Sequence, residues 1–164
     1  NLQMDILKDV ELLLSNNNLN IISKDIERPW GGFYVLDEAQ VQNFASLFFN
    51  NLDVSKLSLS GKLSPKILVI KPKKRLSWQY HHRRSEIWNV IKGGILVSKS
   101  DDDIEKKKIN LKSGEQIEIK REERHRIIGT DKYALVAEIW IHTDKDNPSD
   151  EEDIVRIQDD FDRK

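Results

Sequence analysis

The sequence predicts an all-β fold, an antiparallel sandwich or jelly-roll barrel with one or two peripheral helices. Three observations predict it. From Lys66 onward, short apolar runs follow one another at regular spacing. The breaks between them are turn formers: Gly93-Gly94, Asp101-Asp102-Asp103, Ser113-Gly114 and Gly129-Thr130-Asp131. Only two stretches, both ahead of that region, carry helical spacing.

In chain order, Met4 to Leu14 places Ile6, Leu7, Val10, Leu13 and Leu14 on one helical face, and the Asn run at 16–18 ends it. This helix is expected on the outside of the main fold, its other face a candidate homodimer contact. Leu19 to Ile22 reads as a short strand. Pro29, Gly31 and Gly32 make a turn, and Phe33 to Leu36 a strand. Trp30 reads as a lid on the core rather than a substrate contact. Glu38 to Asn50 reads as a short amphipathic helix. Asn51 to Pro65 reads as a long loop, a candidate cover for one mouth of the barrel.

Strands then follow at 67–70, 75–81, 87–91, 95–98, 107–111, 116–119, 125–128 and 133–141. The lysines at 106–108 mark an exposed edge, where charge discourages further pairing. The tail alternates at Ile154 to Ile157 as one more strand. The expected organisation is an N-terminal helical extension at 1–26 and a barrel domain at 27–164 interrupted by an insertion at 38–65.

Composition bounds the function. At 164 residues, one domain with one real core is expected. Twenty-seven basic against 28 acidic residues leave no basic surplus for nucleic acid. With no cysteine, disulfides and thiolate metal sites are excluded, and a reducing cytoplasm is the expected compartment. No apolar run approaches the ~20 residues of a membrane span, and the N-terminus has no signal-peptide pattern. A soluble protein with no membrane partner is expected.

The chemistry concentrates in Gln79-Tyr80-His81-His82-Arg83-Arg84-Ser85-Glu86-Ile87-Trp88. Alternate strand residues share a face, so Gln79 and His81 point one way, and Glu86 and Trp88 return to that face after a polar turn. His82 faces away. A second strand–turn–strand from Gly114 brings His125 as a fourth donor. Imidazole nitrogen with carboxylate and amide oxygen suits zinc, iron, manganese or nickel. Gln-x-His-x4-Glu followed by a Gly-started hairpin ending in His is the spacing of the two cupin motifs. The glycine that usually leads the first motif falls on Lys73, and the proline and glycine of the second fall on Lys120 and Glu122. His142 is read as a surface residue.

The segments Arg28-Pro29-Trp30-Gly31, Lys74-Arg75-Leu76-Ser77-x-Gln79-x-His81-His82, Arg84-x-Glu86-x-Trp88, His125-Arg126 and Asp153-Ile154-Val155-Arg156 resemble the type II phosphomannose isomerase domain, a cupin. The resemblance covers Arg28 to Leu36 and Lys66 to Arg163. No nucleotidyltransferase domain precedes these residues, so guanylyl transfer is not expected. The resemblance implies interconversion of mannose 6-phosphate and fructose 6-phosphate with one divalent ion, often zinc. It carries over Gln79, His81, Glu86 and His125 as the ligands. Arg83 and Ile87 stand where the family commonly has further histidines.

Isomerisation through an enediol needs a base, a polarising group and a phosphate clamp. Glu138, inside an apolar strand, is the candidate base, because burial would raise its pKa. Arg84 is assigned to the catalytic machinery. Arg28, Lys74, Arg75 and Arg126 are candidates for sugar and phosphate contacts, Arg75 by strand parity with Gln79 and His81. Three other readings stay open: a sugar-phosphate-binding cupin without catalysis, a metal-dependent dioxygenase and a nucleotide-sugar epimerase.

Overall fold

The computed structural model describes residues 1–57 and 61–164. Helix α1 (Leu2–Asn16) leads into β1 (Ile21–Arg28) and β2 (Gly31–Leu36). A short 3-10 turn and α2 (Val41–Phe48) follow, then β3 (Lys66–Ile70), β4 (Trp78–Tyr80), β5 (Arg84–Lys92), β6 (Gly94–Ser100), β7 (Lys108–Lys112), β8 (Gln116–Ile119), β9 (Arg124–Gly129), β10 (Ala134–His142) and β11 (Val155–Gln158). They form two antiparallel sheets, β1-β2-β3-β10-β5-β8 and β11-β4-β9-β6-β7.

Side-chain alternation divides the apolar residues into two cores. Leu68, Ile70, Trp88, Val90, Ala134 and Val136 face inward and meet Ile95, Val97 and Ile127 of the other sheet. Ile67, Val69, Ile87, Leu135, Ala137 and Ile139 face outward, where Ile6, Val10 and Leu14 of α1 and Phe44 and Ala45 of α2 cover them. This second cover is why β10 reads as a nearly unbroken apolar run instead of alternating. The described part of the 38–65 insertion therefore pads the outer face of a sheet and does not cap a barrel mouth. Residues 58–60 of the expected loop lie outside the described residues.

Two local features fix the frame. Gly31 sits at φ 143°, and a Cβ there would stand 1.8 Å from the carbonyl oxygen of Val69, so only glycine allows β2 to lie against β3 at this point. Lys73 and Glu122 occupy the motif positions where glycine is usual, and both keep the glycine conformation, at φ 61° and 63°. The turns survive in shape although the residue that makes them easy is gone.

The expected strand at 75–81 is regular only over Trp78–Tyr80. Lys108–Lys112 is the edge of its sheet, where the lysines were expected. The expected boundary after residue 26 falls inside β1. Among the described residues no helix is long and apolar enough to cross a membrane.

Candidate metal centre and its cavity

His81, Glu86 and His125 converge between the two sheets, each offering a ligand atom within 4.8 Å of the others. Glu86 comes from β5 and His125 from β9, while His81 follows β4 by one residue. Gln79 sits directly across from His125 in the β4–β9 pairing and lines the same cavity. All four predicted ligand positions therefore meet at one place.

Hydrogen bonding determines which atoms are free. His81 Nδ1 lies 2.7 Å from the Asp153 carbonyl oxygen, and His125 Nδ1 lies 2.8 Å from that of Glu123. A carbonyl oxygen only accepts, so each Nδ1 carries the ring proton and each Nε2 presents a lone pair. The two Nε2 atoms stand 3.2 Å apart, and Glu86 Oε2 is 3.2 Å from His81 Nε2. Lone pairs facing each other and a carboxylate repel, and a cation between them removes the repulsion. Arg84 Nη2, 3.2 Å from His81 Nε2, supplies one donor, while among the described residues the hydrogen-bond-range neighbour of His125 Nε2 is the other ring. Carbonyl-tethered histidines with a carboxylate are a donor set that fits a borderline divalent ion.

The electrostatics keep these groups in ligand form. Burial pushes the His81 imidazole down to about 3, and His125 is lowered for the same reason, so both rings are neutral at pH 7. Burial alone would raise the Glu86 carboxyl, but the Arg84 guanidinium overrides it and holds the pKa below the usual carboxylate range. Arg84 Nε donates to Glu86 Oε2 at 2.8 Å, and the Trp88 indole donates to Oε1 at 2.9 Å.

Glu138 shares the cavity. Its register opposite Trp88 on β5 and Lys66 on β3 turns it inward, where it is buried. The Trp88 and Trp140 indoles each donate to one of its oxygens at 3.0 Å. Burial and then the Glu86 charge push its carboxyl up to about 8. Lys66 projects into the same space, its ammonium 3.4 Å from the centre of the Trp140 ring, and burial lowers its pKa. The cavity holds about 90 Å³, room for an ion and several waters, and the half-buried Arg28, Arg156 and Arg163 are among its lining residues.

The remaining predicted residues divide. Arg28 lines the cavity, its Nε on Asp25 at 2.8 Å. Arg84 is in the wall, with Nε bonded to Glu86, Nη1 to Ser149 and the Asp150 carbonyl, and one Nη2 hydrogen to His81, and its guanidinium lies 3.5 Å from the Trp140 ring centre. It orders Glu86. Lys74, Arg75 and Arg126 are not brought into the cavity. Lys74 is exposed. Arg75 precedes the regular part of β4, so parity does not reach it, and it forks onto Asp160 at 2.7 and 2.9 Å. Arg126 is buried as a brace, bonded to the Leu76 carbonyl, Glu105 and Gln158. Trp30 is buried and lines the cavity.

His82 is exposed and pairs with Glu122, as its parity implied. The expectation that His142 is a surface residue is corrected. It ends β10 with 1 % exposure, its Nδ1 accepting from the Ser149 amide at 2.9 Å and its Nε2 facing Ser64 Oγ at 3.1 Å. The signal was available, since Val136, Glu138, Trp140 and His142 share one parity on β10.

Two stacked antiparallel sheets with imidazoles and a carboxylate between them define a cupin barrel. Solved structures agree on the fold: the Lactobacillus farciminis oxalate decarboxylase–formate complex (TM-score 0.55, 16 % identity, 87 % of this chain and 34 % of that one), CapF bound to 3-isopropenyl-tropolone (0.53, 15 %, 85 % and 34 %), and Bacillus subtilis oxalate decarboxylase at pH 4.6 (0.56, 14 %, 82 % and 30 %). The chain spans about a third of the length of each. Residues 53–159 match the family model described as mannose-6-phosphate isomerase C-terminal, and the chain belongs to that family. Curated proteins gave no match.

Proposed function

We propose that this cavity isomerises mannose 6-phosphate and fructose 6-phosphate. The observation that carries the reading is the pairing of the His81–Glu86–His125 cluster with a second carboxyl, Glu138, raised to about 8 in the same cavity. A divalent ion held by His81, Glu86, His125 and Gln79, zinc being the first candidate, would supply a Lewis-acid charge for the sugar's carbonyl and hydroxyl oxygens.

The chain's own residues do the rest. Ionised Glu138 takes the proton from the carbon next to the carbonyl and returns it to the neighbouring carbon, through an enediol. Its raised pKa makes it a stronger base than an ordinary carboxylate and a ready donor once protonated. The Trp88 and Trp140 indoles hold both oxygens in place. The buried Lys66 ammonium offers positive charge near developing enediolate oxygen. Trp30, Trp88 and Trp140 limit water around the intermediate.

A coupled assay on mannose 6-phosphate tests the reading. Turnover is expected in wild type and not in His81→Ala or Glu138→Gln, with metal content lost only in the first. Ligand binding without turnover by metal-loaded wild type would remove the isomerase in favour of a binding cupin.

A further inference from the structure

Three half-buried arginines, Arg28, Arg156 and Arg163, are among the residues that line the cavity, together with one exposed acidic residue, Glu151. Two of them are matched by carboxylates. Arg28 pairs with Asp25, and Arg163 forks onto Asp159 at 2.8 and 3.0 Å. Arg156 is different: its Nη1 donates to the Lys164 carbonyl, and its Nε is buried with no hydrogen-bond partner among the described residues. A buried charged N–H without an acceptor bears its full desolvation penalty, so such a group at a cavity wall marks a missing acceptor. Its pKa is lowered by burial and by the charges of Arg163 and Arg28, which outweigh the opposing carboxylates of Asp159 and Glu151. An added anion would relieve that repulsion.

Register relates this wall to the metal centre. Arg156 pairs with Gln79, and Gln79 with His125, in one row across the sheet. Arg156 is thus two strands from His125, roughly 10 Å between backbones. A six-carbon sugar chain has its reacting carbons at one end and an ester on the last carbon, and that separation suits it.

We propose that Arg156, flanked by Arg28 and Arg163, seats a phosphate dianion, so that the cavity selects phosphomonoester sugars over neutral ones. The seat takes the place of Lys74, Arg75 and Arg126, which the fold holds elsewhere. Guanidinium forks match phosphate oxygens better than an ammonium does. The seat rests on the isomerase reading only for the sugar attached to the phosphate.

The test is titration of the full chain with inorganic phosphate, mannose 6-phosphate and mannose, followed by calorimetry, with near-UV circular dichroism to confirm folding. Phosphate affinity should fall at least tenfold in Arg156→Gln and less in Arg156→Lys, which keeps the charge. Arg75→Gln, outside the cavity, should match wild type, and mannose should bind far more weakly than its phosphate. Equal phosphate affinity in wild type and folded Arg156→Gln overturns the seat, as does folded wild type that does not bind phosphate. Arg156-dependent phosphate binding without turnover leaves the seat standing and removes the isomerase. Turnover with KM unchanged in Arg156→Gln does the reverse.

Discussion

Replacing Glu138 by Gln should stabilise the metal-free protein while abolishing turnover. The folded carboxyl is pushed from 4.5 up to about 8, by burial first and then by Glu86. A pKa raised on folding means that the native state keeps a proton the unfolded chain releases. That contribution is complete below pH 4.5 and is lost as pH rises through about 8, at up to about 1.4 kcal/mol per pH unit. By pH 7 the loss is about 3 kcal/mol, a figure that already includes the Lys66 charge, which holds the carboxyl below where burial and Glu86 alone would put it. Gln cannot ionise, so it escapes the loss. It also mimics the protonated acid: the amide oxygen accepts from Trp140, and Trp88 retains its bond to Glu86. Urea unfolding of chelator-treated proteins at several pH values is the measurement. The variant should match wild type near pH 5 and exceed it increasingly toward pH 8. A difference that stays flat over that range, or a variant that weakens at high pH, would refute the raised carboxyl and with it the base assignment.

Other outcomes follow from single sites. Burial depresses His142 from 6.5 to about 4, so its neutral form contributes stability that is full above pH 6.5 and lost as pH falls toward 4. His142→Asn, which keeps an acceptor for the Ser149 amide, should flatten that acid limb in urea unfolding. Lys73→Gly should raise stability by about 0.5–1 kcal/mol, because Lys73 holds φ 61° at an exposed turn. Zinc at about 100 times its Kd should stabilise wild type by about 2.7 kcal/mol, seen as a shifted thermal midpoint, and His125→Ala should remove the shift.

The convergence of Gln79, His81 and Glu86 was legible because it depends on local rules. Gln79 and His81 differ by two residues, and Glu86 returns after a turn whose length the sequence shows. Glu138 was legible as a carboxyl inside an apolar strand. The arginines were not, since parity assumes a regular strand and β4 becomes regular only at Trp78. Arg156 closes one of the segments that carry the resemblance, but nothing local to it shows that it lines the cavity. Lys66 and Trp140 read as ordinary strand residues, and Trp88 only as a residue on the cavity face, although all three build the environment of Glu138.

By itself, the sequence determined the alternation of strands and turns, the all-β class and the positions able to ligate an ion. Each follows from a period of two along the backbone or from turn chemistry within a few residues. Tertiary structure decided what surrounds those positions. Pairing β3 with β10 places Lys66 opposite Glu138, and pairing β11 with β4 places Arg156 beside Gln79. Burial and charge then set protonation, because they depend on neighbours distant in the chain that only the folded sheets bring together.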